Sequence, residues 1–350
     1  MLSITNELIA WYKKHKRDLP WRNTTNPYFI WLSEIMLQQT RVKQGLPYYL
    51  KFIDKYPTVK DMASADESEI LSLWQGLGYY SRARNMHYTA KVISEEYNGD
   101  FPSTYKEVLA LKGIGEYTAA AILSFSFKQA YPVIDGNVFR VISRLYNISK
   151  PIDTPIGKRE IEEAVHSIFD VQQPDIWNQA IMEFGALHCT PRNPDCQSCV
   201  LNTKCLALAN NTTNQLPVKQ GKVKVVQVHH TYFNFMWQNK TYIVKRESGI
   251  WKNMYQFPLL EEAIETKDII LSALNQLDTP QNLTIISDYN ATHLLSHRKI
   301  IAKFYTIELE KPPIFSKSNI FEIELDQLGN KYPTSVLTLN YWDQKKKHDK

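Results

Sequence analysis

All four cysteines of the 350-residue chain, Cys189, Cys196, Cys199 and Cys205, fall in one short stretch that reads C-x6-C-x2-C-x5-C. Thiols gathered this closely, with no secretory leader read at the N-terminus to favour disulfides, predict a metal centre with a loop wrapped around it. Structural zinc sites usually show two C-x2-C pairs, whereas only Cys196 and Cys199 form one here. The longer spacers suit a larger object, and an iron-sulfur cubane takes four thiolates. Spacing alone leaves zinc open.

The remaining sequence sets the scale around that loop. At 43% hydrophobic content the chain can bury two domain-sized cores. No apolar run approaches the roughly 18 residues of a membrane helix, so a soluble protein is expected; reduced cysteines fit the cytoplasm, and a monomer is expected. A net charge of +5 permits nucleic-acid binding without demanding it.

Residues 1–209 carry apolar positions at helical spacing, including one long helix predicted over 27–52. The polar stretch 210–222 reads as a linker. Over 223–345, β-branched and aromatic segments alternate with a helix at DIILSALNQL and a second at FEIELDQLG, which predicts a small α+β domain. The KKKHDK tail reads as a solvated end.

Two amphipathic helices are joined by Lys112-Gly113-Ile114-Gly115. Gly113 and Gly115 allow a tight turn with exposed backbone, and the second helix then offers free N–H groups and a positive dipole end to an anion such as a DNA phosphate. The motifs LPWR (19–22), SEIMLQQTRV (33–42), WQGLGYYSRARN (74–85), VIDGNV (133–138) and NQAIMEFGALHC (178–189) accompany this hairpin and the cysteines. Together they resemble the MutY-type adenine DNA glycosylases of the helix-hairpin-helix, iron-sulfur superfamily. The resemblance implies an all-α glycosylase domain with a [4Fe-4S] loop at 189–205, followed by a smaller α+β Nudix-like domain. It also implies nucleoid-associated action on double-stranded DNA, removing adenine mispaired with 8-oxoguanine or guanine.

A glycosylase must protonate a reluctant leaving base and shelter the cation-like sugar, tasks that suit two carboxylates in different environments. Glu34 lies among apolar helix residues, where desolvation would raise its pKa and make it a proton donor. Asp135 precedes a helix and by itself reads as an N-cap. The resemblance assigns general acid to Glu34 and cation stabilisation to Asp135, with Tyr117 and Asn137 shaping the same site. Endonuclease III-type enzymes carry a lysine nucleophile where this chain has Tyr117, and a phenol cannot form the imine behind strand cleavage. Lys112 replaces the family's usual proline and brings a cation to the hairpin.

By the same resemblance Gln39 and Tyr79 intercalate when the base is extruded, with Gln38 and Leu77 beside them. Arg82, Arg84, Arg192 and Lys204 are candidate phosphate contacts. Trp21, Arg22, Leu37 and Gln179 line the adenine pocket, and Leu295, Ser296 and His297 match a loop that contacts 8-oxoguanine. The glutamate run of a working Nudix hydrolase is missing, so recognition is the role expected of the second domain. Two alternatives stand beside this reading: an endonuclease III-like lyase, and a noncatalytic iron-sulfur DNA-binding protein.

Overall fold

The computed structural model describes residues 3–221, 224–265, 268–278 and 281–348. The chain divides into two compact units, Met1–Ala63 with Tyr88–Lys222, and Ser64–His87 with Val223–Lys350.

The first unit is helical, and local chemistry sets where its helices begin. Asn26 accepts from the Tyr28 N–H at 2.9 Å with Pro27 opening Pro27–Leu37. Thr154 accepts from the Gly157 N–H at 3.2 Å to start Pro155–Ile168. Such caps contribute on the order of 1 kcal/mol each. Helices Ile4–His15, Gly136–Leu145, Pro155–Ile168 and Pro174–Leu187 bury Leu8, Trp11, Val138, Ile142, Ile161, Trp177, Ile181 and Phe184 in one core. The apolar positions recur at i, i+3 and i+4, which gives each helix one inward face.

The single helix expected over 27–52 is two, Pro27–Leu37 and Val42–Lys55. Gln39 sits at φ 55°, in the left-handed region that ends a helix, and the extended Arg41 begins the next. The second helix then packs tightly on the first: a Cβ on Gly45 would lie 2.9 Å from Leu37 Cδ2.

The second unit is built on a seven-stranded sheet. Its strands are β1 Val226–Trp237, β2 Lys240–Lys245, β3 Tyr255–Gln256, β4 Leu259–Leu260, β5 Leu283–Leu294, β6 Arg298–Leu309 and β7 Ile320–Glu324. The order is β3-β2-β1-β6-β5, with β1 parallel to β6, β4 paired to β1 and β7 to β2. Phe233, Phe235, Tyr305 and Ile307 pack with Ile269 and Ala273 of the helix Ile269–Leu274. One expectation needs correction here. FEIELDQLG begins in strand β7, because pairing with β2 satisfies its backbone and leaves Ile323 buried. The helix Val336–His348, whose Leu337, Tyr341 and Trp342 are buried, runs into the KKKHDK tail, and residues 349–350 lie outside the described residues.

Residues 64–87, which the sequence reading leaves in the N-terminal domain, group with this second unit. Glu67 accepts from Asn253 Nδ2 at 2.5 Å, Gln75 Oε1 accepts from the Thr334 N–H at 3.1 Å, and Arg84 donates to the Lys252 carbonyl at 3.0 Å.

Candidate active site

Glu34 is carried on a helix among the apolar Ile30, Trp31, Ile35 and Met36, and it is only 8% exposed. Its Oε2 accepts a 2.7 Å hydrogen bond from the Tyr117 hydroxyl. Burial pushes the carboxyl up to about 7. The Tyr117 bond and the Arg22 charge oppose that rise, and the nearby Asp135 adds to it. At neutral pH a large share of the molecules therefore carry a proton on Glu34. Tyr117 is itself held well above an ordinary phenol by burial and by the two carboxylates, so it remains a donor.

Asp135 caps the helix Gly136–Leu145. Its Oδ1 accepts from the Asn137 and Val138 N–H groups at 2.9 and 2.8 Å, and its Oδ2 accepts from Asn137 Nδ2 at 2.6 Å. Burial raises its pKa while these three bonds and Arg140 act the other way. Every group aimed at the carboxylate is a donor, an arrangement built for the anion.

The support behind Asp135 is rigid. Asn178, fully buried, accepts from the Val133 N–H and donates to Ser124 Oγ and the Tyr131 carbonyl, fixing the approach to the cap. Arg140 donates to Asn137 Oδ1 at 2.9 Å, the Gly185 carbonyl at 2.6 Å and the Cys189 carbonyl at 2.8 Å. Gly185 has no room for a side chain, since a Cβ would lie 2.7 Å from Asn137 Cβ.

A cavity of about 550 Å³ joins these groups, a size suited to a small ligand or a single base. It is lined by the expected Trp21, Arg22, Glu34, Leu37, Tyr117, Asp135, Asn137 and Gln179. Gln179 Oε1 accepts from the Tyr12 hydroxyl, which orients its amide. Sequence reasoning missed Arg17, Met182 and Glu183, which line the same cavity. Burial alone would raise Glu183, yet Arg17 and Arg22 bind it at 2.5 and 2.7 Å and hold it at about 2. The available signal was its i+4 spacing from Gln179 on one helix.

The remaining expected residues lie elsewhere. Gln38 donates to Thr118 Oγ1 at 3.4 Å, and Gln39 occupies the left-handed break between two helices. Gly113, at φ 85°, turns the hairpin into Glu116–Phe127, whose N-terminus has no side-chain cap. In the second unit Tyr79 is also left-handed, at φ 48° and 44% exposed, while Leu77 is buried. The turn between β5 and β6 holds Leu295, Ser296 and His297, and the Tyr79 hydroxyl hydrogen-bonds Ser296 Oγ.

Three of the expected phosphate contacts are engaged within the protein, Arg84 through its bond to the Lys252 carbonyl. Arg82 is buried, donates to the Gly78 carbonyl at 3.2 Å and lies over the Trp74 and Tyr79 rings, so it braces the turn that presents Tyr79. Lys204 pairs with Glu7 at 2.6 Å.

All four cysteines face one cavity, with Arg144 beside them. Arg144 is 2% exposed, and it donates to Cys189 Sγ at 3.3 Å and to the Thr190 and Thr213 carbonyls. Burial pushes the Cys199 thiol up to about 11. Thiolates crowded here therefore need a multiply charged cationic centre. No trio of His, Cys, Asp or Glu among the described residues is grouped so as to hold a single metal ion. Four thiols around a shared cavity, with Arg144 beside them, are a donor set that could hold a metal centre.

The sequence profile described as HhH-GPD superfamily base excision DNA repair protein matches residues 32–168. An adenine DNA glycosylase of Buchnera aphidicola subsp. Baizongia pistaciae (strain Bp) is 36% identical over 316 residues, spanning 89% of this chain and 88% of its own. The chain belongs to the adenine DNA glycosylases. The human adenine DNA glycosylase is 39% identical to this glycosylase over 218 residues, 60% of this chain and 40% of the human one. A solved thermostable thymine-DNA glycosylase superposes with a TM-score of 0.54 at 29% identity, covering 59% of this chain and 95% of that one. An endonuclease III–DNA complex, at 23% identity and a TM-score of 0.52, shares the fold over 61% of this chain and 99% of that one. The glycosylase thus has a helical HhH-GPD domain followed by a sheet-containing domain.

Proposed function

We propose that this glycosylase is monofunctional, extruding adenine mispaired with 8-oxoguanine or guanine from duplex DNA and hydrolysing its glycosidic bond to leave an abasic site. The observation that carries this reading is the protonatable, buried Glu34, held by a phenol and facing the same base-sized cavity as a donor-wrapped Asp135. Glu34 gives its proton to adenine N7 as the C1′–N9 bond breaks and the bonding pair leaves with the base. Asp135, its charge fixed by three donors, stabilises the cation-like sugar. Water adds to C1′, and the proton it releases restores Glu34. Tyr117 has no amine to capture C1′, so the strand remains intact.

The two intercalation candidates, Gln39 and Tyr79, share a backbone conformation that non-glycine residues rarely adopt, and such strain clusters at working sites. The exposed Ser296 beside Tyr79 offers a hydroxyl to distinguish oxidised guanine in a Nudix-like recognition domain. Cys189, Cys196, Cys199 and Cys205 would hold a [4Fe-4S] cluster, which supplies structure and DNA affinity rather than hydrolysis.

The test is single-turnover base release from a duplex with adenine opposite 8-oxoguanine, with A:T as control. Strand breakage confined to the mispaired duplex and appearing only after alkali is expected. Breakage without alkali would indicate lyase chemistry, and tight binding without product would favour a noncatalytic protein.

A further inference from the structure

Lys112 stands at the entry of the glycine hairpin, and two adjacent residues of the helix Tyr80–Glu96 grip it from both ends. Thr89, fully buried, donates its hydroxyl to the Lys112 carbonyl at 2.8 Å. Tyr88, 53% exposed, offers its ring to the Lys112 ammonium, which lies 4.6 Å from the ring centroid. The backbone hold does the stiffening a proline would otherwise do. The ring does something a proline cannot: it parks a cation.

The state of that cation matters. Lys112 makes no ion pair among the described residues, and Glu116, the acidic residue in the first turn of the following helix, is not joined to it. An exposed cation–π contact is modest in strength but holds the ammonium over the ring face. That is enough to restrict the lysine, and it leaves the full positive charge uncompensated. A carboxylate partner would have cancelled the charge. Beside it, the N-terminus of Glu116–Phe127 is uncapped and its preceding Gly115 has open space where a Cβ would project, so an anion can approach the backbone.

We infer that the Tyr88-held Lys112 ammonium is a preorganised contact to a DNA phosphodiester, a subsite added to the backbone N–H groups of the hairpin. This rests on the reading of the chain as a DNA-binding glycosylase. A lysine that neutralises one phosphate displaces its condensed counterions, so its presence registers in the salt dependence of binding and favours no sequence.

The test measures the dissociation constant of the full chain for an undamaged duplex by fluorescence anisotropy across a potassium chloride series. Lys112→Gln should reduce the slope of log affinity against log salt by about 0.9, with a loss of up to about tenfold at low salt that shrinks as salt rises. Lys112→Pro should lose the same slope, because it keeps a stiff backbone without the cation, and Lys112→Arg should retain it. Tyr88→Leu should weaken binding at low salt while circular dichroism stays unchanged. A wild-type slope in both Lys112→Gln and Lys112→Pro would overturn the subsite and leave the glycosylase reading standing. Failure of the unaltered chain to bind DNA would overturn both.

Discussion

The Tyr117 hydroxyl donates to Glu34 Oε2 at 2.7 Å across 83 residues of sequence, and the bond draws the carboxyl pKa down against a larger upward push from burial. In the proposed mechanism the acid form of Glu34 is the working one, so base release should fall about tenfold per pH unit above about 7. Tyr117→Phe removes the lowering bond and should move that alkaline limb to higher pH. A single-turnover pH profile of both proteins checks the direction.

The same shift has a stability consequence. Because the folded pKa of Glu34 lies above its unfolded value of 4.5, its contribution is fully present below 4.5 and is lost as pH rises through about 7. The loss is roughly 3 kcal/mol. Glu34→Gln should therefore be more stable than the unaltered chain in mildly alkaline buffer, with the advantage vanishing in acid, as urea titration at the two extremes would reveal. Its base release should drop by about 10²-fold or more while duplex binding persists. Asp135→Asn should behave alike in activity, and retained release in both variants would discard the mechanism.

Glu183 titrates with the opposite sign. Its folded pKa of about 2 lies below 4.5, so its contribution is present above 4.5 and disappears as pH falls toward 2. Its side chain is wholly buried. Glu183→Gln leaves Arg17 and Arg22 without their anion and should cost about 3–5 kcal/mol. Urea unfolding near neutral pH measures the cost, and a flattened acid limb between pH 4.5 and 2 should accompany it.

Two glycines separate internal from external crowding. Gly185→Ala would press on Asn137, and through it on Asp135, so both stability and base release should fall. Gly136 meets nothing within 4 Å of a built Cβ and opens a helix, where alanine is favoured by about 1 kcal/mol. Gly136→Ala should melt at the same temperature or higher yet release base more slowly, because the missing Cβ clears space for the extruded nucleotide. An unimpaired rate would mean that this space serves no substrate.

On the proposed [4Fe-4S] assignment the protein should carry iron and absorb visible light, and Cys199→Ser should lose both and bind DNA more weakly. Bound zinc in place of iron in the unaltered protein, measured by elemental analysis, would instead support the simpler ion.

Much of this was legible because it is local. Helical periodicity, the glycine hairpin and the cysteine spacing all act over a few residues, and eight expected site residues line one cavity. What escaped depends on distance. Gln39 breaks a run whose composition favours continuing the helix, and the clash-tight Gly45–Leu37 approach is a tertiary fact. Glu183 is unremarkable beside its sequence neighbours, since its partners Arg17 and Arg22 lie more than 160 residues away. FEIELDQLG satisfies both helical and alternating patterns, and only the neighbouring strand β2 decides between them.

The grouping of residues 64–87 with the C-terminal chain bears on how this protein can be taken apart. A stop codon placed in the 210–222 linker looks like a clean excision on paper. It would strip Glu67, Gln75, Tyr79 and Arg84 of partners at Asn253, Thr334, Ser296 and Lys252, and leave the turn that presents Tyr79 without its companions. The C-terminal half is thus no detachable cassette. A shortened protein would lose the C-terminal sheet and, with it, the bonds that hold residues 64–87, and a defect in such a fragment would report on both at once.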